Sequence, residues 1–326
     1  MFEEERLNIT SIWDKCYPKN ENVNHKKITF HNRFGITLVA DMFWPKKDNE
    51  KYPAIACCGA FGAVKEQHSG LYAQEMASRG FLTIAFDPSF TGESGGHPRY
   101  VASPDINTED FQAAVDFLSV QDNVDANKIS IIGICGWGGI ALNTASIDTR
   151  VKTTVCITSY NMSRVTHNGY FDANDEDAVY KMKQKLNAQR IEDYRTQQYK
   201  LAGGVPKECP KNAPDFLKGY HAYYQGRAYH PRSLNSNNGW NITSSLSFIN
   251  TPQHTFAGEI KNAVLLVHGE KAHSRYFSED MFKLLKGENK EIIIVPNADH
   301  CDLYDGGINH DKIPFDKIED FIRKNI

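Results

Sequence analysis

The chain has 326 residues, 40% of them hydrophobic, with a formal net charge of -3 and a pI near 6.5. That length supports a large core, best described as one big domain with an insertion. So small a charge excess gives no electrostatic reason to expect nucleic acid or an anionic membrane as partner, and points instead to a small-molecule or protein-bound substrate. The opening residues, MFEEER, are acidic where a secretory signal needs a basic start, and no window approaches eighteen uninterrupted apolar residues, so a cytoplasmic location is expected. Seven cysteines without C-x-x-C spacing read as reduced thiols in a reducing compartment.

In chain order, two alternating segments at 27–31 and 36–43 flank Asn32-Arg33-Phe34-Gly35 and predict a β-hairpin. From Pro53 onward short continuous apolar runs take over, at 54–58, 81–86, 129–134, 151–157, 263–267 and 292–295. Runs of that kind mark parallel strands buried on both faces. Helical spacing appears at Phe111, Ala114, Val115 and Leu118 after Ser103-Pro104, and again at Phe315, Ile318, Phe321 and Ile322. Residues 163–258 break the alternation. They contain a long polar helix predicted over 175–202 and closed by Gly203-Gly204, a Tyr-rich stretch (Tyr220, Tyr223, Tyr224, Tyr229) and a Ser/Asn-rich one. The expected architecture is an α/β doubly wound, mostly parallel sheet with an N-terminal antiparallel hairpin. Its core is formed by residues 1–162 and 259–326, and a mainly helical cap by 163–258.

Gly133-Ile134-Cys135-Gly136-Trp137 lies between an apolar strand run and a small-residue helical start. That is the position of a nucleophile elbow, with cysteine at its centre. A helix N-terminus and a nearby imidazole would lower the thiol pKa and raise its reactivity. His300, in Ala298-Asp299-His300-Cys301-Asp302 beyond the last strand, is the candidate base, whereas His268 reads as structural. The acid member is open: Glu270 is first choice, then Asn161 and Asp302, because Ala272 stands where an aspartate is often found. Oxyanion donors are expected from the backbone of Gly136 and of Phe61, with Ala60 as the alternative to Phe61. Asp87 reads as a brace for the active-site loops, and Lys65, Glu66 and Gln67 as support for the loop carrying Phe61. The turn-rich segment 87–96 lacks the G-K-[ST] ending of a phosphate loop, and His167, His221, His230, His254 and His310 show no zinc spacing, so neither cofactor nor metal is expected.

Four blocks carry a family resemblance: Gly62-Ala63-Val64-Lys65-Glu66-Gln67, Phe86-Asp87-Pro88-Ser89-Phe90-Thr91-Gly92-Glu93-Ser94, Gly133-Ile134-Cys135-Gly136-Trp137-Gly138-Gly139 and Ala298-Asp299-His300-Cys301-Asp302-Leu303-Tyr304-Asp305. With these in order, the chain resembles the α/β-hydrolase superfamily, and within it the bacterial YcjY-type hydrolases and the fungal polyketide transferase and thiohydrolase group. Dienelactone hydrolases are a broader parallel, with a cysteine elbow and a Cys-Asp-His triad of which Cys135 and His300 match here. Tyr160-Asn161-Met162 departs from the Tyr-Asp-Met expected of relatives. The resemblance implies acyl chemistry on a small-molecule ester or thioester through an acyl-enzyme. The alternatives are acyl transfer to an alcohol, or a ligand-binding or redox-sensing protein in which Cys135 is oxidised.

Overall fold

The computed structural model describes residues 5–47 and 51–326. Among these residues eight strands form one sheet: β1 (Val23–His31), β2 (Thr37–Pro45), β3 (Tyr52–Gly59), β4 (Leu82–Phe86), β5 (Val124–Ile134), β6 (Val151–Ile157), β7 (Ala263–Gly269) and β8 (Lys290–Val295). Their spatial order is β1-β2-β4-β3-β5-β6-β7-β8; β1 pairs with β2 and β2 with β4 antiparallel, and every later pair is parallel. Among the described residues ten α-helices connect and cover the strands: α1 (His68–Ser78), α2 (Pro104–Ser119), α3 (Gly136–Ala145), α4 (Met162–Asn168), α5 (Glu176–Thr196), α6 (Asp215–His221), α7 (Ser245–Asn250), α8 (Arg275–Leu284), α9 (Asp302–Asp305) and α10 (Phe315–Asn325).

The apolar runs are strands because each is enclosed: β4 and β7 are buried at every residue, which requires cover on both faces. The spaced apolar positions of α2 (Phe111, Ala114, Val115, Leu118) and of α10 (Ile318, Phe321, Ile322) are all buried. Only the inner half of β5 was visible as an apolar run. Its first residues, Val124-Asp125-Ala126-Asn127-Lys128, are mostly polar; of these only Val124 is paired, with Tyr52 at the sheet margin, before the register shifts and pairing resumes at Ile129.

Between β6 and β7 the chain leaves the sheet and builds α4 to α7 with intervening short turns, and no strand of the sheet falls there. The Asp175 carboxylate caps α5 by accepting from the Ala178 N–H at 2.8 Å. This helix is shorter than predicted: Gln197 turns left-handed at φ 56°, and the following residues extend until Leu201 bridges Asn241. Gly203-Gly204 therefore belongs to this extended return and does not close the helix.

A buried ion cluster ties the N-terminal part of the fold together. Lys65 Nζ lies 2.6 Å from Glu66 Oε1, 2.7 Å from Asp87 Oδ2 and 2.7 Å from Glu93 Oε2, with all four side chains sealed from solvent. Burial works against a charge on Lys65, yet Asp87, Glu66, Asp41 and Glu93 together hold its pKa above the ordinary value. Among the described residues Glu66, Asp87 and Glu93 are the one group of three that converges closely enough to share a cation, and the Lys65 ammonium fills that position. Lys65→Ala leaves these carboxylates uncompensated, and urea unfolding is expected to show a loss of about 3–5 kcal/mol; a loss under about 1 kcal/mol would contradict this account of the cluster.

Candidate active site

The turn from β5 into α3 places Cys135 at φ 58° and ψ −126°, a left-handed conformation that costs a non-glycine residue on the order of 1–3 kcal/mol. Close packing enforces it: a Cβ on Gly133 would come 2.1 Å from the Trp137 carbonyl oxygen, so only glycine lets α3 fold back onto its own strand. The turn sets Cys135 beside the loop after β3 and helix α9, on one cavity with Phe61 and Tyr304. There the backbone N–H groups of Gly136 and Phe61 and the hydroxyl of Tyr304 all favour the thiolate over the thiol. Burial outweighs these donors and pushes the thiol up to about 11.

His300, after β8, is almost wholly buried. Its Nε2 is 3.0 Å from the Tyr304 hydroxyl, and its Nδ1 is 2.9 Å from Thr158 Oγ1 and 2.6 Å from Ser274 Oγ. Tyr304 therefore stands between imidazole and sulfur. The expected direct thiolate-imidazolium contact is absent, and both groups are neutral: burial first, then the nearby His273, His268 and His68, push His300 well below the usual histidine range. Behind His300 the polar chain continues through hydroxyls and a second imidazole. Ser274 Oγ is 2.9 Å from His268 Nε2, whose Nδ1 is 2.7 Å from Ser278 Oγ.

No carboxylate takes the third position. Glu270 is exposed and accepts from the Asn297 N–H at 2.8 Å. Asn161 caps α4 by accepting from the Arg164 N–H at 2.9 Å, and Asp302 accepts from the Asp299 N–H at 3.0 Å. The structure thus brings Cys135, Gly136 and Phe61 together and reaches His300 through Tyr304, while Glu270, Asn161 and Asp302 are engaged elsewhere. The hydroxyls of Ser274 and Thr158 stand where a carboxylate was expected. Tyr304 follows His300 by one helical turn, a spacing visible in the sequence; Ser274 and Thr158 left no comparable signal.

His68 engages one of the two candidate backbone donors. The Ala60 N–H donates to His68 Nε2, whereas the Phe61 N–H favours the Cys135 thiolate. The same imidazole stacks on the Tyr304 ring, with centroids 4.3 Å apart and planes inclined by 14°, and its Nδ1 is 2.9 Å from the Tyr223 hydroxyl. The chain between β6 and β7 also grips the Phe61 loop. Asn235 Nδ2 donates to the Phe61 carbonyl at 2.8 Å, while the Asn235 N–H and Ser233 Oγ donate to the Gly62 carbonyl at 3.0 and 3.1 Å. A cavity of about 300 Å³ opens over the sulfur, floored by Cys135 and Tyr304 and walled mainly by Phe61, Tyr160, Tyr220, Tyr224 and Trp240.

A strand-to-helix elbow, two convergent backbone donors and a late histidine on a mostly parallel sheet define an α/β hydrolase. The chain belongs to the family described as X-Pro dipeptidyl-peptidase (S15 family), whose model matches residues 35–302. It is 50% identical to the uncharacterized protein PA2218 of Pseudomonas aeruginosa over 98% of this chain and 86% of that protein. The crystal structure of PA2218 superposes with a TM-score of 0.95 at 49% identity, covering 99% of this chain and all of that one. YcjY of Escherichia coli is 33% identical over 78% of this chain and 83% of its own length. The thiohydrolase aneE of Aspergillus aculeatus is 33% identical over 32% of this chain and 33% of its own.

The protonation states of the buried groups set how stability and thiol reactivity vary with pH. The unfolded chain takes up protons near 6.5, but burial holds His68 and His268 down to about 3 and His254 to about 4, with His300 also lowered. Below pH 6.5 the unfolded state therefore binds more protons than the folded one, so stability is complete above that pH and falls as pH drops toward 4. Each such histidine contributes a slope of about 1.4 kcal/mol per pH unit; thermal melts should show the midpoint falling across this window, and a flat midpoint would contradict it. Alkylation of the Cys135 peptide by iodoacetamide should climb continuously from about pH 7 to about pH 10, because the thiolate is the reactive form. A plateau beginning near neutral pH would show the ion pair that the geometry lacks.

Proposed function

We propose that this protein cleaves carboxylic ester or thioester bonds through an acyl-enzyme on Cys135. The observation that carries this reading is the strained elbow that sets Cys135 on one cavity with Phe61 and Tyr304, where the Gly136 N–H, the Phe61 N–H and the Tyr304 hydroxyl all favour its thiolate. A substrate carbonyl carbon placed at the sulfur would turn its oxygen toward the two backbone donors, which are fixed in advance and match the charge that forms on attack. As the S–C bond forms, the thiol proton passes to the Tyr304 oxygen and the Tyr304 proton passes to His300 Nε2. His300 accepts there in the tautomer that donates its Nδ1–H to Ser274 and Thr158. Return of the proton along the same path protonates the leaving group, and water, activated through the same hydroxyl, then releases the acid and restores the thiol.

This relay lacks a carboxylate to stabilise the imidazolium, so it suits leaving groups that need little help. A thiolate departs readily and an amine does not, which favours thioesters and activated esters over peptides. The cavity agrees: a dipeptidyl-peptidase must hold a cationic N-terminus, and among the described residues lining the space over Cys135 none carries a carboxylate. The thiohydrolase name of one fungal relative supports the same class of chemistry.

Incubation with a panel of acyl thioesters followed by intact-protein mass measurement should show one acyl adduct, absent in Cys135→Ala. Tyr304→Phe should lower kcat by roughly a hundredfold or more while leaving Cys135 open to iodoacetamide, since only proton movement is lost. Full turnover in either variant would overturn the assignment.

A further inference from the structure

The cavity over Cys135 is polar at several points yet carries no formal charge. Its titratable lining residues besides Cys135 are phenols, and burial holds Tyr160, Tyr170, Tyr220, Tyr224 and Tyr304 above the ordinary tyrosine value and hence neutral. The nearest imidazoles are neutral as well: His273, which meets the Tyr160 hydroxyl, is held down to about 4, and His300 lies lower than usual. An ionised carboxylate or ammonium carried into this space would surrender its hydration and find no counter-ion.

Two further features describe what does fit. Phe61 meets the edge of Trp240 with ring centroids 4.4 Å apart and that of Phe248 at 5.4 Å, so the wall beside the sulfur is a rigid aromatic corner suited to an edge or face of another ring. Above it the Tyr224 hydroxyl is buried and leans toward Asn235 and Tyr304, yet it makes no hydrogen bond of ordinary geometry. A buried hydroxyl left in that state is a donor awaiting an acceptor. At about 300 Å³ the space is at the small end for a ligand site and matches one ring with short substituents.

We propose that the acyl group accepted by this site is a single-ring group, uncharged throughout, bearing an oxygen substituent that takes the Tyr224 hydroxyl. The inference rests on the acyl-transfer reading above but is tested apart from it, by binding to a protein that has no nucleophile. Calorimetric titration of Cys135→Ala would use four ligands of one shape: benzamide, 4-hydroxybenzamide, 4-carbamoylbenzoate and 4-(aminomethyl)benzamide. 4-Hydroxybenzamide is expected to bind at least roughly tenfold more tightly than either charged ligand. In Cys135→Ala/Tyr224→Phe the preference for 4-hydroxybenzamide over benzamide should collapse toward one. A charged ligand bound as tightly as the neutral ones, a hydroxyl preference that survives loss of Tyr224, or no binding by any of the four overturns the proposal. If the neutral ligands bind as expected while the corresponding thioesters leave Cys135 of the unaltered protein unmodified, the acyl-enzyme reading fails and the description of the pocket stands.

Discussion

The ammonium of Lys65, enclosed by three carboxylates, is the contact on which the rest of the site depends. An isolated charge at that depth would be prohibitively costly, and the cluster is tolerable only because every partner is held in place from a different part of the chain. Lys27 of β1 reaches Glu93 at 2.6 Å, Lys15 reaches Asp41 of β2 at 2.7 Å, and Arg232 reaches Glu66 at 2.8 Å and Asp14 at 2.7 Å. The N-terminal segment, the antiparallel hairpin, the loop after β4 and the chain between β6 and β7 are thereby fastened to one point. That point lies four residues after Phe61. The antiparallel strands therefore do more than extend the sheet: they supply charges that fix the loop carrying Phe61.

Seen from the sulfur, the site is a neutral one built in a dry environment. Dryness raises the thiol and lowers the imidazole, so neither is ionised at rest, and any attack by the sulfur would have to release its proton as the bond forms. A carboxylate beside His300 would favour the imidazolium beforehand; the hydroxyls of Ser274 and Thr158 orient the ring without biasing its charge. Thr158 itself stands at φ 44°, directly after β6, so the position that replaces the acid is also a conformationally constrained one.

The sheet was legible because its inner strands are covered on both faces and so read as unbroken apolar runs. The polar start of β5 escaped because it lies at the sheet margin, and the end of the helix at Thr196 escaped because a left-handed Gln197 and a bridge from Leu201 to Asn241 stop it, neither of which is a local signal. Cys135, Gly136 and His300 were readable from short motifs set at strand ends. What surrounds them was not. The contacts of Thr158 and Ser274 with His300 join residues 142 and 26 positions apart, and the bond from Asn235 to Phe61 spans 174. Pattern reading supplied a carboxylate in the third position because related sites have one, whereas this fold fills it with hydroxyls and leaves Glu270 in solvent.

The grip of Asn235 and Ser233 on the Phe61 and Gly62 carbonyls joins the cavity wall and the loop after β3 into one mechanical unit. Asn235 lines the cavity and also holds the Phe61 peptide, so a change of side chain there alters both the shape of the space and the aim of that peptide's N–H.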